Sequence, residues 1–331
     1  MKSTKPLTNF LERQKLNNQD RNINFSMIAG FVVFILVFIF FSIRAKGFLT
    51  QVNILRNLIM PASISAVIAM GMTIVMSAGG IDLSVSSIAG LAGLAAAASA
   101  ALFKFPLPLM FFAALVTGGL IGAINGSLVA YGGISPFVVT LSVVFLARGI
   151  QYLIVLTTVV TGTYRMHPMS VSRLGGNPFF LIVTCAVVIF ILYFFLDHTI
   201  FGRNIKATGL NLEAAKFSGI PVRWYTWLTY VICGFCCAIT GLMLTANEGM
   251  ARVGSGESYL IDAFLLPILG SSVFGRFSIQ GTVFSSLFLY MIINGLFILG
   301  ASPESVRIIK GGLLLAIILV SGIQKRIQEG S

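Results

Sequence analysis

The sequence predicts an all-α polytopic membrane protein of about ten transmembrane helices, and three observations carry that expectation. Of the 331 residues, 57% are hydrophobic and only 10% are charged, and the mean hydropathy is +0.96. A soluble domain carries about 25% charged residues because its surface faces water. The apolar residues fall in stretches of about 17 to 25, the length a helix needs to cross the hydrocarbon core. The 34 glycines fit the same class, because helices in lipid approach one another through small residues.

Residues 1–24 form a polar tail carrying Lys2, Lys5, Arg13, Lys15 and Arg21. The uncharged run Phe25–Ile43 follows, ending at Arg44 and Lys46. It is longer than the apolar core of a cleavable signal, so it is expected to be a retained first span. The next spans are Ile54–Ala78, Val85–Leu102, Pro106–Tyr131 and Pro136–Thr158. The second half adds Pro178–Leu196, Trp224–Ala246, Tyr259–Phe274, Ile279–Leu299 and Ser305–Ile323. The eighth is short and holds Pro267, which predicts a broken or tilted segment. Residues 25–323 thus read as a single transmembrane domain, followed by a C-terminal tail, 324–331.

The net charge is +12, but no Lys/Arg stretch is interleaved with stacking aromatics, so no nucleic-acid partner is expected. The basic residues sit between apolar runs and act as a topology signal. With the amino tail inside, the inner segments hold its five cations plus Arg203, Lys206, Lys216, Arg223, Arg276, Lys325 and Arg326. The outer segments hold fewer: Arg44, Lys46, Arg56, Lys104, Arg165, Arg173 and Arg252. Both termini are therefore expected in the cytoplasm. Arg165, Arg173 and Arg252 run against that bias and are candidates for docking an external protein. Cys185, Cys233, Cys236 and Cys237 lie in apolar runs and read as buried small hydrophobes.

Gly118, Gly122 and Gly126 form a flat strip on the fourth span, and Gly234, Ala238 and Gly241 form another on the seventh. Both predict close helix packing. Between the second and third spans, Gly79 and Gly80 break the helix, and Asp82, Ser84 and Ser86 bring polar groups to the break. Two readings stand for Asp82: lining a solute path, or capping the third helix. Within the spans, Asn125, Thr140, Arg148, Asn294 and Lys310 are polar. Arg148, midway along the fifth, either lines a path or belongs to a buried ion pair. Lys310 and Arg307 are expected to snorkel to the interface.

The inner segment from Asp197 to Arg223 predicts a two-turn helix. Asn211 suits its N-cap and Glu213 its positive end; Lys216 suits its far end, Gly219 its close, and Pro221 stops it. So short a helix needs a partner to hold it, and its small Ala214 and Ala215, between Leu212 and Phe217, permit close approach. Enzyme signatures do not occur: no Gly-Lys pair for an ATP-binding loop and no Gly-x-Ser-x-Gly elbow. His167 and His198 fall on opposite sides of the expected topology. No cofactor and no metal is expected in this chain.

Four segments together resemble the ribose-type (simple-sugar) permeases of ATP-binding-cassette importers. They are Ala69-Met-Gly-Met-Thr-Ile-Val-Met-Ser-Ala-Gly-Gly-Ile-Asp-Leu-Ser84; Gly122-Ala-Ile-Asn-Gly-Ser-Leu-Val-Ala130 with Pro136-Phe-Val-Val-Thr-Leu141 and Ala147-Arg-Gly149; Phe201-Gly-Arg203 with Gly209 to Ile220; and Ile261-Asp-Ala263. In order and spacing they cover about residues 45 to 325. The resemblance implies a type II-like importer permease fold in a bacterial inner membrane. It also implies a second permease copy or a sister permease, two ATPase subunits that use the ATP, and an external solute-binding protein. The implied coupling helix comprises Asn211, Leu212, Glu213, Ala214, Ala215, Lys216, Ser218 and Gly219. A monosaccharide, a sugar-like signal or a nucleoside is the implied solute. Asp82, Ser84, Asn125, Thr140, Arg148, Asp262 and Asn294 are the candidate path residues. Ser86 stands where the family usually has glycine, and Gly270-Ser-Ser-Val-Phe-Gly275 replaces a glycine-rich stretch. A homodimer and a heterodimer both stay open. The rival class is an ion-coupled secondary transporter, which needs carboxylates near mid-membrane on broken helices. Only Asp82 and Asp262 are candidates, and both sit near expected helix ends.

Overall fold

The computed structural model describes residues 26–158, 163–165 and 177–329. Helix α1 spans Ser26–Arg44, and a π-helical turn, Asn53–Ile59, leads into α2, Met60–Ser77. Then come α3 (Val85–Phe103), α4 (Leu107–Ala130), α5 (Pro136–Thr158) and strand β1 (Thr163–Arg165). Helix α6 (Pro178–His198) leads to α7 (Ile200–Leu210), the short α8 (Leu212–Phe217) and α9 (Val222–Glu248). Strand β2 (Met250–Arg252) and a 3-10 turn (Glu257–Tyr259) precede α10 (Leu260–Phe274), α11 (Ile279–Ile298) and α12 (Pro303–Glu329).

Among the described residues, nine helical stretches are long and apolar enough to cross a membrane. The expected tenth span, Ser305–Ile323, falls within α12, a helix of 27 residues. Proline placement helps set the starts: Pro61, Pro108 and Pro178 stand in the first turns of α2, α4 and α6, where a missing N–H costs nothing. Three details go beyond expectation. β1 and β2 add a small antiparallel ribbon to the all-α fold, Thr163 facing Arg252 and Arg165 facing Met250. Helix α7 was not anticipated, because Gly202 and Gly209 obscure its period. Helix α12 continues to Glu329, through most of the stretch expected to be a tail.

Helices α2, α3 and α9 form the centre. α2 and α3 are buried almost all round, whereas α1 lies at the periphery; a helix apolar on every face suits such an interior. Ile68 and Met72 of α2, Val85 and Ile88 of α3, and Tyr230, Cys233 and Cys237 of α9 share one core cluster. All four cysteines are buried and unpaired. The two glycine strips meet: a methyl group added at Gly118 would strike the Gly234 carbonyl, and one at Gly122 the Tyr230 carbonyl. α4 and α9 thus touch backbone to backbone.

Helix α9 runs from just after α8 to just before β2, which defines an α8 end and a ribbon end of the bundle. Past β2 the chain folds back inward. The Gly254 amide donates to Gln151 Oε1 at 2.9 Å, and Gln151 Nε2 donates to the Ser87 carbonyl at 3.0 Å. Gly256 lies against the Ser86 carbonyl so closely that a Cβ would not fit. The 3-10 turn therefore sits beside α5 and the first turn of α3, and α10 starts inside the bundle. This explains the short eighth span: its helix of 15 residues begins where a re-entrant loop ends.

Candidate functional site

Three polar clusters lie within this apolar frame. The first surrounds Asp262, the third residue of α10, whose carboxylate is fully buried. Ser65 and Tyr290 each donate to its Oδ2, at 2.9 and 2.7 Å, and Lys310 Nζ donates to Oδ1 at 2.6 Å. Ser65 is the central residue of the Asn53–Ser77 stretch, twelve residues or about 18 Å from either end. Asp262 is thus near a helix end, as expected, and yet at mid-depth, because α10 starts there. Lys310 does not snorkel to the interface: it turns inward, pairs with Asp262, and lies over the Tyr290 ring at 5.2 Å. A buried carboxylate holds its charge only with a partner and hydrogen bonds, and Asp262 has both.

The second cluster sits at the break between α2 and α3. Asp82 is fully buried, and its Oδ1 accepts from the Ser84 amide at 2.8 Å and the Ser84 hydroxyl at 2.5 Å. Asn125 Nδ2 donates to Ser84 Oγ at 2.8 Å, and the Tyr230 hydroxyl donates to the Ile81 carbonyl at 3.0 Å. Asp82 Oδ2 and Asn125 Oδ1 have no protein partner. Ser84 precedes α3 without a side-chain cap bond, so the carboxylate stiffens the turn rather than capping free helix amides. Asp82, Ser84 and Asn125, three of the expected path residues, are gathered here.

The third cluster pairs Arg148 with Glu257 of the 3-10 turn. Arg148 is the thirteenth of the 23 residues of α5, so it stands midway. The ion pair is there, but it is not buried: the side chains are 37% and 53% exposed. Beside it lies a cavity of about 550 Å³ bounded by the 3-10 turn, α10, α11 and α12.

The remaining candidates lie apart. Thr140 donates to Pro136 within its own helix, and Asn294 is buried with Nδ2 unpartnered. Arg252 is paired with Glu248 at 3.5 Å. The ribbon brings the Arg165 and Arg252 strands together, while Arg173 and His167 fall outside the described residues. At the α8 end, Asn211 caps α8 as expected, accepting from the Ala214 amide at 3.0 Å. Leu210 and Phe217 project, 87% and 89% exposed, but Ala215 is 4% exposed and packs inward, so it is not available to a partner. A cavity of about 500 Å³ opens alongside, walled by Met76, Lys206, Gly209, Leu210 and Arg276 among others. A salt bridge of 2.5 Å between Lys206 and Asp197 fixes α7 to the end of α6. Among the described residues, no three His, Cys, Asp or Glu side chains converge as metal ligands.

Sequence reading missed Glu257, Tyr290, Ser65 and Gln151. The chain has only ten acidic residues, so Glu257, just before an apolar run, was a usable signal. Ser65 and Tyr290 carried none, since lone hydroxyls in apolar helices usually bond their own backbone.

Residues 54–318 match the family model described as the branched-chain amino acid transport system / permease component. The chain is 34% identical to the galactofuranose transporter permease protein of Escherichia coli strain K12, over 77% of this chain and 75% of that one. It is 32% identical to the D-allose transport system permease protein of the same strain, over 87% and 89%. It is 31% identical to the ribose import permease protein of Bacillus subtilis strain 168, over 94% and 98%. Apolar spans and matched relatives converge: the chain is a multi-pass membrane protein that works in transport rather than catalysis, and it belongs to this permease family.

Proposed function

We propose that the chain is the permease subunit of an ATP-driven importer that carries a monosaccharide or a sugar-like solute inward across a bacterial inner membrane. The solute is delivered by an external binding protein and the energy comes from two separate ATPase subunits. A second permease, the same chain or a sister, completes the path. The names of the relatives, which specify galactofuranose, D-allose and ribose, support a sugar over the amino acid of the family description.

The observation that carries the reading is the Arg148–Glu257 pair. It stands midway along α5 and is still half-exposed on the single chain. A charged pair at that depth does not face hydrocarbon; it faces water or another subunit. A path beside α5, closed by a second permease, satisfies it. The cluster of Arg203, Lys206, Lys216, Arg223 and Arg276 supports a cytoplasmic α8 end, and both termini are proposed for that side. The exposed Leu210, Phe217 and Ala214 then form the contact that an ATPase groove receives, and Arg165, Arg173 and Arg252 at the ribbon end receive the binding protein.

The ion-coupled alternative draws on Asp262, a mid-depth carboxylate in the first turn of a short helix. Its lysine partner argues against it, because both Asp262 carboxylate oxygens already accept from Lys310, Ser65 and Tyr290. Single cysteines at Ser218 and Ser331, labelled by an impermeant reagent, test the placement. Protection in intact cells with reaction in inside-out vesicles is expected; labelling from outside contradicts it.

A further inference from the structure

We infer that Asp82 is a proton-binding site. It is carried as the neutral acid, and its proton closes a hydrogen-bond ring with Asn125 and Ser84 that ties α4 to the break between α2 and α3.

The ring follows from counting hydrogens. Ser84 Oγ stands 2.5 Å from Asp82 Oδ1 and 2.8 Å from Asn125 Nδ2. A serine hydroxyl has one proton to give. It goes to Asp82 Oδ1, so Asn125 turns its amide nitrogen toward Ser84 and its oxygen away. Asp82 Oδ2 and Asn125 Oδ1 are left as two buried acceptors in one cluster without a donor. One proton on Oδ2 supplies the donor, and Asn125 Oδ1 is the acceptor it meets. Every oxygen of the three side chains then has a partner. With the Tyr230 hydroxyl donating to the Ile81 carbonyl, the break is held from α4 and from α9.

Charge points the same way. Asp82 is fully buried, and burial favours the uncharged form of a carboxyl. Among the described residues, no Lys, Arg or His pairs with it, whereas Asp262, equally buried, has Lys310. Two carboxyls in different surroundings thus take different states. A water between the two free acceptors would leave a buried charge uncompensated, which is the costlier arrangement. A divalent metal ion fits worse than a proton, because it takes about six or more ligands and only two oxygens stand free. The titratable groups facing Asp82 are Tyr230, Cys233 and Cys237 of α9, which ordinarily titrate above about pH 8. Helix α7 approaches the turn through Gly209, close to Gly79, and its Lys206 is held by Asp197.

The test compares the full chain with Asp82→Asn by equilibrium unfolding in detergent. The amide keeps the shape of the acid, with an oxygen to accept from Ser84 and an N–H to give Asn125. In the unfolded chain Asp82 is ionised above about pH 5, so folding takes up a proton at this position in the parent and none in the variant. Rising pH therefore disfavours the folded parent. Its folding equilibrium constant, relative to that of Asp82→Asn, is expected to fall about tenfold per pH unit from about pH 5 to about pH 7. At neutral pH the parent-minus-variant infrared spectrum is expected to show the carbonyl stretch of a protonated carboxyl. A flat ratio across that range, a carboxylate band in the difference spectrum, or failure of Asp82→Asn to fold overturns the site. Uptake by reconstituted Asp82→Asn is expected to match the parent, because the proton stays in place. Loss of uptake at parental stability would show the proton to be moved, and overturns its resident role. A parent chain that takes up no sugar counts against the proposed function alone, since the unfolding and infrared readings need no solute.

Discussion

Replacing Lys310 with methionine isolates the most consequential polar contact in the bundle. Methionine keeps the length and flexibility of the side chain and deletes only the charge. Asp262 is then left fully buried with the Ser65 and Tyr290 hydroxyls but no cation. Removing one partner of a buried ion pair costs about 3 to 5 kcal/mol. Against a total stability of roughly 5 to 15 kcal/mol, that is a large fraction. Asp262→Asn combined with Lys310→Met removes both charges, while the amide still meets the two hydroxyls. The double variant should therefore recover most of the loss, to within about 1 to 2 kcal/mol of the parent. The assay is equilibrium unfolding of detergent-purified protein, with membrane levels measured alongside. A Lys310→Met chain within about 0.5 kcal/mol of the parent would refute the pairing. So would a double variant no more stable than the single one.

Other expectations follow from the packing and from the two ends. Gly118→Val drives a branched side chain into the Gly234 carbonyl and should cost at least about 1 to 3 kcal/mol, whereas Gly311→Ala, with open space around it, should be neutral or slightly stabilising; thermal unfolding separates the two. Ala214→Glu should insert normally but retain much less ATPase in co-purification, while Ala215→Glu should lower the stability of the chain itself, because only Ala215 is buried. Arg148→Glu should abolish uptake, and adding Glu257→Arg should restore part of it; a double variant as inactive as the single would remove the pair from the path.

What the sequence made legible was whatever follows from length, period and punctuation. Span Pro136–Thr158 matches α5 at both ends, and the other observed spans differ by a few residues, where caps and prolines mark the boundaries. The glycine strips of α4 and α9 were readable because helical spacing alone puts Gly118 and Gly122 on one face. Depth was not readable. Tyr259–Phe274 has the composition of a short span, and nothing in its residues says that Gly254 and Gly256 first carry the chain back into the bundle. Lys310 was misplaced for the same reason. Seven residues from the start of α12, it has the reach of a snorkelling side chain, and only the position of Asp262, 48 residues earlier, turns it inward. Tertiary partners of that kind carry no local signal.

The most direct test of the account is uptake into liposomes carrying this chain with its partner permease and ATPase subunits, with loaded binding protein outside. Radiolabelled sugar should accumulate only with ATP enclosed in the lumen, where the α8 end of productive complexes faces, and should not respond to imposed proton or sodium gradients. Accumulation driven by an ion gradient, with ATP and the ATPase subunits left out, would contradict it.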